Sequence, residues 1–393
     1  MTTTNIIKKL NLENLPEDFD RYIEKIPEYK ENLCSEKLID DLQEKFDFFG
    51  KYFSTVKQAF SELKTDDTLS LYLDAASIYY KENDIASVRL FPIPATDGSL
   101  AKDFLSLFIM LPSICDTYDE YRKRGFSHES TLKNLDNFKL NIWVMEEFIL
   151  GRPAISGVYY RWLSIYAKCL IFNHGGLNFE LKTAPKSALF IKNKNTGEVK
   201  ILINLKGVHR SGMPLGCAGY EDEDGAFSAG FEETETEIIG NPVENYRIQK
   251  EKKHFSKSVW EICISPGDDV IGIHIPRNTD LSPDKISLSY KEALEMIKNA
   301  YPEFKPKALT CASWLMDPEL NRILGEKSKI SSFSAPFVRH PNRNNGRDIF
   351  GYVFPSDAKD FSLLPENTSL QRKLKEKYLK GEFIYSYTGA IIL

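Results

Sequence analysis

Two periodicities divide the chain. Through roughly the first 165 residues, apolar positions recur every three or four residues. Leu38, Leu42, Phe46, Phe49, Phe53, Val56, Phe60 and Leu63 form one such stripe, the spacing that gathers side chains on one face of an α-helix. The pattern predicts a helix from Ser35 to about Lys64, with Ser35 as N-cap and Glu36 near the positive end of the helix dipole. Further helices are expected over Asp67–Lys81, Leu100–Tyr121, Ser130–Leu150 and Val158–Leu170, with Gly151, Pro153 and Gly157 interrupting the chain between the last two.

Past Gly175 and Gly176 the period shortens to two. Leu177–Leu181 alternates as a strand, and Leu189–Ile191 and Val199–Leu205 flank Asn195-Thr196-Gly197 as a hairpin. Strands are also expected at Phe231–Ile239, Tyr246–Gln249, Val259–Ile264, Val270–Ile275, Lys307–Ser313 and Phe383–Leu393. Helices are expected at Tyr290–Ala300, Pro318–Leu324 and Ser369–Lys380. Helices first and a mixed sheet second make an α+β class: a helical N-terminal domain over 1–165 and a mixed α/β domain over 166–393. A length of 393 residues also exceeds what one hydrophobic core ordinarily supports.

Composition narrows the partners. The net charge is −5 and the only basic block, Lys250–Lys253, is interrupted by Glu251; nucleic acid is not the expected partner, since that needs a concentrated basic face. The apolar run Phe104–Cys115 contains Ser106, Pro112 and Ser113 and is far short of the ~20 residues that span a bilayer. It reads as a buried helix, and no membrane association is expected. The start of the chain lacks the apolar segment of a signal peptide, so a cytoplasmic location is expected. Six cysteines are scattered with no Cys-x-x-Cys and no close Cys/His pair; neither a metal site nor a disulfide framework is expected.

The chemistry-bearing stretch is Gly267–Leu324. It reads as strand, helix and strand, with His274 and Cys311–Trp314 near the C-terminal ends of two apolar strands. Ligands of open α/β sheets bind beyond such ends. Glu233, Glu235 and Glu237 alternate along one expected strand; the row could supply a base facing a basic acceptor, or simply face water. Cys311 or Ser313 could be a nucleophile with His274 as base, although no Gly-x-Ser-x-Gly turn surrounds them. His274, in an apolar strand, reads first as a hydrogen-bonded structural histidine and second as a catalytic one. Asp317-Pro318 is an N-cap followed by proline at the first helical position. His209-Arg210-Ser211, in the glycine-rich loop Gly207–Gly219, could grip an anion or be an ordinary surface loop.

His274-Ile275-Pro276, then Lys307-Ala308 through Cys311-Ala312-Ser313-Trp314-Leu315-Met316-Asp317-Pro318, then Leu364-Pro365 and Thr368-Ser369-Leu370-Gln371-Arg372, resemble bacterial acyltransferase-domain proteins. These pair a helical N-terminal domain with a GNAT-like C-terminal domain. The resemblance covers most of the chain and is strongest from Trp260 to Leu379. It implies a GNAT-like fold, acyl-CoA as co-substrate, and transfer of the acyl group to the amine of a small-molecule acceptor. It places Ile275, Pro276, Arg277, Asn278 and Cys311 near the donor, with Glu233, His274, Ser313 and Tyr385 (or Tyr387) as catalytic candidates. In GNAT enzymes the strand corresponding to Val270–Ile275 leads into a glycine-bearing loop whose backbone N–H groups hold the pyrophosphate. Here Arg277-Asn278-Thr279-Asp280-Leu281-Ser282-Pro283 follows, without glycine. Two alternatives therefore stand beside the transferase: a binding protein that keeps the fold without a CoA site, and a hydrolase using Cys311 or Ser313.

Overall fold

The computed structural model describes residues 3–355 and 358–393. They form two compact units, Met1–Phe172 and Asn173–Leu393.

The first unit is helical, from Thr3–Leu10 to Gly157–Ala167. The apolar run forms its centre: helix Leu100–Met110 has almost every side chain buried, from Phe104 through Met110 without a break. The stripe expected as one helix is two, Glu36–Phe46 and Phe53–Lys64. Asp47 turns left-handed between them (φ 47°), and the Gln43 side chain accepts the Phe49 N–H at 3.0 Å. The stripe survives the break because Phe46, Phe48 and Phe49 all stay buried. Ser35 caps the first helix, its Oγ accepting the Leu38 N–H at 3.2 Å. Leu100–Tyr121 is likewise divided, at the turn Leu111–Ser113, where Pro112 has no N–H to continue an α-helix. Ser130–Leu150 resolves into His128–Leu135, Asn137–Val144 and a wide turn over Met145–Leu150.

The second unit carries a six-stranded sheet, whose edge strand Ile171–His174 begins two residues before the unit does, in the order Ile171–His174, Leu177–Thr183, Asp269–His274, Ala308–Ser313, Tyr387–Ile392 and Val338–Pro341. Asp269–His274 and Ala308–Ser313 run parallel, joined through helix Pro283–Ala300, because parallel neighbours need a crossover. A second, seven-stranded sheet runs Lys253–Ser256, Glu237–Glu244, Val199–Ile203, Ala188–Asn193 and Trp260–Ile264, with Phe231–Glu233 and Arg247–Ile248 also pairing Glu237–Glu244. The sheets share a core in which Val270, Ala308 and Ala390 of the first join Phe190, Ile201 and Ile203 of the second. Helix Ser369–Leu379 opens with a capping box between Thr368 and Gln371.

Several expected elements are corrected. Phe231–Ile239 is a hairpin: Thr234 Oγ1 accepts the Glu237 N–H at 3.0 Å and turns the chain between two antiparallel strands. Helix Tyr290–Ala300 starts earlier, with Pro283 in its first turn. The closing strand begins at Tyr387 rather than Phe383, since Phe383 and Ile384 pack into the cluster around Tyr378 and Leu374.

In the helical unit the Asp103 side chain is 1% exposed and its carboxylate meets Arg152 Nε at 2.6 Å; it also accepts the Gly98 N–H at 3.2 Å. Asp103→Ala is expected to destabilise the fold by about 2 kcal/mol, the loss expected when a buried acceptor is removed and a partly exposed guanidinium is left to rehydrate. A thermal melt of several degrees lower midpoint would show it; an unchanged midpoint would mean the pair contributes nothing.

Candidate functional site

The two parallel strands part company. Their register pairs Ile271 with Leu309 and Gly272 with Thr310 and goes no further, although both strands continue to His274 and Ser313. Their outer neighbours hold on to the end: His274 pairs with Asn178 and Ser313 with Tyr387. Each strand thus follows its antiparallel partner, and a V opens between them at the C-terminal end.

Residues paired across a sheet share a face, so Gly272 and His274 project with Glu180 and Lys182. The His274 Nε2 lies 2.8 Å from Glu180 Oε2. Glu180 is buried (6% exposed), whereas the His274 ring is 35% exposed. Lys182 Nζ is 4.0 Å from the same carboxylate oxygen. A β-carbon on Gly272 would come within 2.9 Å of Lys182 Cε and 3.2 Å of Glu180 Oε2; glycine leaves that face to the two charged side chains. Sequence reasoning missed Glu180. Its signal was the polar series Asn178, Glu180, Lys182 alternating with Phe179 and Leu181.

Cys311 and Ser313 lie an odd number of positions from Thr310 and project to the opposite face from His274. The dyad expected of a hydrolase is therefore not assembled. Cys311 is 2% exposed, and burial pushes its thiol up to about 12, which disfavours a thiolate. The Ser313 hydroxyl accepts the Leu315 N–H at 3.1 Å as the cap of a short helical turn.

The loop beyond His274 makes the turn that its composition left in question. Asn278 is left-handed (φ 63°), a conformation asparagine tolerates better than most residues. Thr279 Oγ1 donates to Pro276 O at 2.8 Å and to Gly176 O at 3.0 Å. Asp280 accepts from Ser282 and from Lys285 Nζ (2.8 Å) and Lys329 Nζ (2.7 Å). These contacts, the lysines first, hold its carboxyl well below the usual range. The exposed Arg277 guanidinium lies 4.8 Å from the Tyr352 ring centroid. Ile275 and Pro276 are half-buried at the start of the loop.

Other candidates lie elsewhere. Glu233 is exposed on the second sheet, 2.6 Å from Lys257 Nζ, while Glu237 meets His254 Nδ1 of strand Lys253–Ser256 at 3.0 Å; the three carboxylates do not share one strand. Arg210 pairs with Asp222 and Asp224, both at 2.9 Å, and His209 Nδ1 meets Ser211 Oγ at 2.7 Å. The expected anion grip is thus answered by acids of the same loop. Tyr385 donates its O–H to Ala218 O at 2.7 Å and its N–H to Asp317 Oδ2 at 2.7 Å. Asp317 Oδ1 accepts the Glu319 N–H at 2.8 Å, the expected N-cap. Among the described residues no three His, Cys, Asp or Glu side chains are grouped to hold a metal ion.

The family model for the GNAT-like C-terminal domain matches residues 171–391. The chain is similar to solved structures of an acyltransferase in complex with decanoyl-CoA, at 17% identity, and with decanoyl-CoA and teicoplanin, at 15%. A further one, with CoA and 10C-teicoplanin, is 14% identical. Each likeness covers 100% of both chains with a TM-score of 0.65, and at these identities it is a likeness of fold. No curated protein matches the chain.

Burial raises the Asp317 carboxyl to about 6, against the two N–H donors that favour its charged form. The folded protein therefore keeps this proton at pH values where the unfolded chain has released it. Stability is expected to fall as pH rises from about 4 through 6, by up to about 3 kcal/mol across that window. Asp317→Asn should flatten that decline; urea midpoints of both proteins between pH 4 and 7 measure it, and parallel curves would refute the assignment.

Proposed function

The chain belongs to the GNAT-like C-terminal domain family, and from that premise we propose that it transfers an acyl group from acyl-CoA to the amine of a small-molecule acceptor. The V between Asp269–His274 and Ala308–Ser313 carries this reading. Where the register ends at Gly272 and Thr310, facing strand edges are released from each other, and an extended amide chain such as the pantetheine arm can pair with them. The acyltransferases of like fold hold decanoyl-CoA or CoA, in two cases together with teicoplanin or 10C-teicoplanin, which supports both the donor and a small-molecule acceptor.

The loop Ile275–Ser282 sits at the mouth of the V. Asn278 supplies the left-handed turn, Arg277 is exposed beside it, and Lys285 and Lys329 neutralise Asp280. These features suit phosphate groups without the usual glycine, because the backbone turn matters rather than the residue type. His274 is the base. Glu180 holds Nε2 and orients the ring, and Nδ1 takes the proton of the acceptor amine as its nitrogen attacks the thioester carbonyl. The carbon–sulfur bond then breaks and the leaving thiolate takes up a proton. Tyr385 is the candidate for that donor, with its O–H now given to Ala218 O at 2.7 Å and burial making it a weaker acid than a free tyrosine. Glu233, tied to Lys257 on the second sheet, and Ser313, engaged as a cap, have no part in this assignment.

Acyl-CoA at about a hundred times its dissociation constant is expected to stabilise the protein by roughly 2.7 kcal/mol, read as a higher melting midpoint. If CoA, acetyl-CoA and decanoyl-CoA all leave the midpoint unmoved, the reading fails and a binding protein without a donor site takes its place. With a responsive amine, His274→Ala is expected to lower kcat by roughly a hundredfold or more with the KM for acyl-CoA little changed. Glu180→Gln should cost less and shift the pH profile. Full activity in His274→Ala would remove the histidine from the mechanism.

A further inference from the structure

Positive charge is buried at the far edge of the six-stranded sheet, on strand Val338–Pro341. Arg339 is 6% exposed. Its Nη1 donates to Met316 O at 3.1 Å, its Nη2 to the Tyr246 hydroxyl at 3.1 Å, and its guanidinium carbon lies 4.8 Å from the Tyr246 ring centroid. Its Nε–H is buried and has no hydrogen-bond partner. Arg247 arrives from the other sheet, donating through Nη1 to the Tyr387 hydroxyl at 2.6 Å and the Tyr246 carbonyl at 3.3 Å. Among the described residues, neither guanidinium has a carboxylate within ion-pairing distance. The acid whose field Arg247 feels, Asp317, gives one oxygen to the Glu319 N–H and the other to the Tyr385 N–H.

A guanidinium taken out of water without an anion is costly, and here Arg247 gives its donor to the Tyr387 hydroxyl while Arg339 lies against the hydroxyl and ring of Tyr246. Tyr246 is itself held in strain. Asn245 and Tyr246 form a two-residue hairpin turn with φ of 48° and 63°; asparagine adopts this backbone readily, but a bulky residue does so only when the surroundings hold it there. The turn places the Tyr246 ring and hydroxyl on Arg339. Arg247 also stands at the end of the sheet where the V opens, because its partner Tyr387 is the register partner of Ser313.

We propose that Arg247 and Arg339 together receive an oxyanion of a small molecule, a carboxylate or a phosphate group. Guanidinium forks match both groups by paired N–H donation, and the unpartnered Nε of Arg339 is a donor such a group would take. Within the transferase reading this group belongs to the acceptor, which is then an amine bearing a carboxylate or phosphate; that identification rests on the reading, whereas the anion site does not.

The test is a thermal melt of the full chain in sodium phosphate, succinate and acetate against sodium chloride at matched ionic strength. Wild type is expected to gain about 2 °C or more, saturably, at ten times the dissociation constant. Arg247→Met, at a half-buried position, and Arg339→Met are each expected to lose that gain. A response to succinate and acetate alone assigns a carboxylate ligand, and a response to phosphate alone assigns a phosphate ester. A wild type that distinguishes none of these salts from chloride overturns the proposal, as does Arg247→Met retaining the full gain should Arg339→Met fail to fold. If the anion response is present but no acyl-CoA is turned over, the site stands and the transferase reading falls. If turnover is present, the KM of an amine bearing the responsive group is expected to rise roughly tenfold or more in Arg247→Met, while that of its uncharged analogue stays the same.

Discussion

Parallel neighbours in a sheet must be joined by a connection that leaves at one end and returns at the other, and Pro283–Ala300 is that connection here. It makes Asp269–His274 and Ala308–Ser313 a parallel pair whose outer neighbours, Leu177–Thr183 and Tyr387–Ile392, are both antiparallel to them. Antiparallel partners then claim the full length of each strand while the parallel ladder stops at Gly272 and Thr310. The V is a consequence of that competition. It requires no special residue at the point of separation, only that each strand follow its better-paired neighbour.

What fills the faces around the V does depend on residue type. The lower part of the sheet is closed by aliphatic packing against the second sheet through Val270, Ala308 and Ala390. Two positions further up the strand the same face changes character: Gly272 gives up its side chain, and Glu180, Lys182 and His274 occupy the space. A carboxylate as buried as Glu180 needs a positive or donating partner, and the histidine supplies one from the adjacent strand. The pair is thus explained as structure before it is used as chemistry.

The helical half was legible because its stripe is set by burial. Wherever the expected helices were divided, as at Asp47 and Pro112, the apolar spacing ran on across the break and concealed it. The sheet core was legible where strands were apolar, as in Val270–Ile275 and Lys307–Ser313. It was not legible at Val338–Pro341, four residues reading Val-Arg-His-Pro, because two of them are polar and the last lacks a donor for a ladder. The candidate site divided in the same way. His274 and the loop after it could be read from the strand ends, but Glu180 and the two arginines could not, since their meaning lies in pairings between segments tens of residues apart. The three glutamates misled for a local reason: alternation cannot distinguish one strand from two strands folded at Thr234.

Two left-handed residues show how far backbone geometry can replace a sequence motif. Asn278 adopts a left-handed turn in a loop that carries glycine in GNAT enzymes, and a short amide side chain makes that conformation cheap. Tyr246 adopts a left-handed conformation where a large ring gains nothing locally. A preference of that size persists only if something outside the turn offsets it. The contacts present are the hydrogen bond and ring face given to Arg339, and these are strongest when the guanidinium stays charged in a site shielded from water. The strain at Tyr246 and the unpaired charge at Arg339 therefore have one explanation between them, a position kept ready for an anion. The easy turn at Asn278 needs no such explanation and carries none.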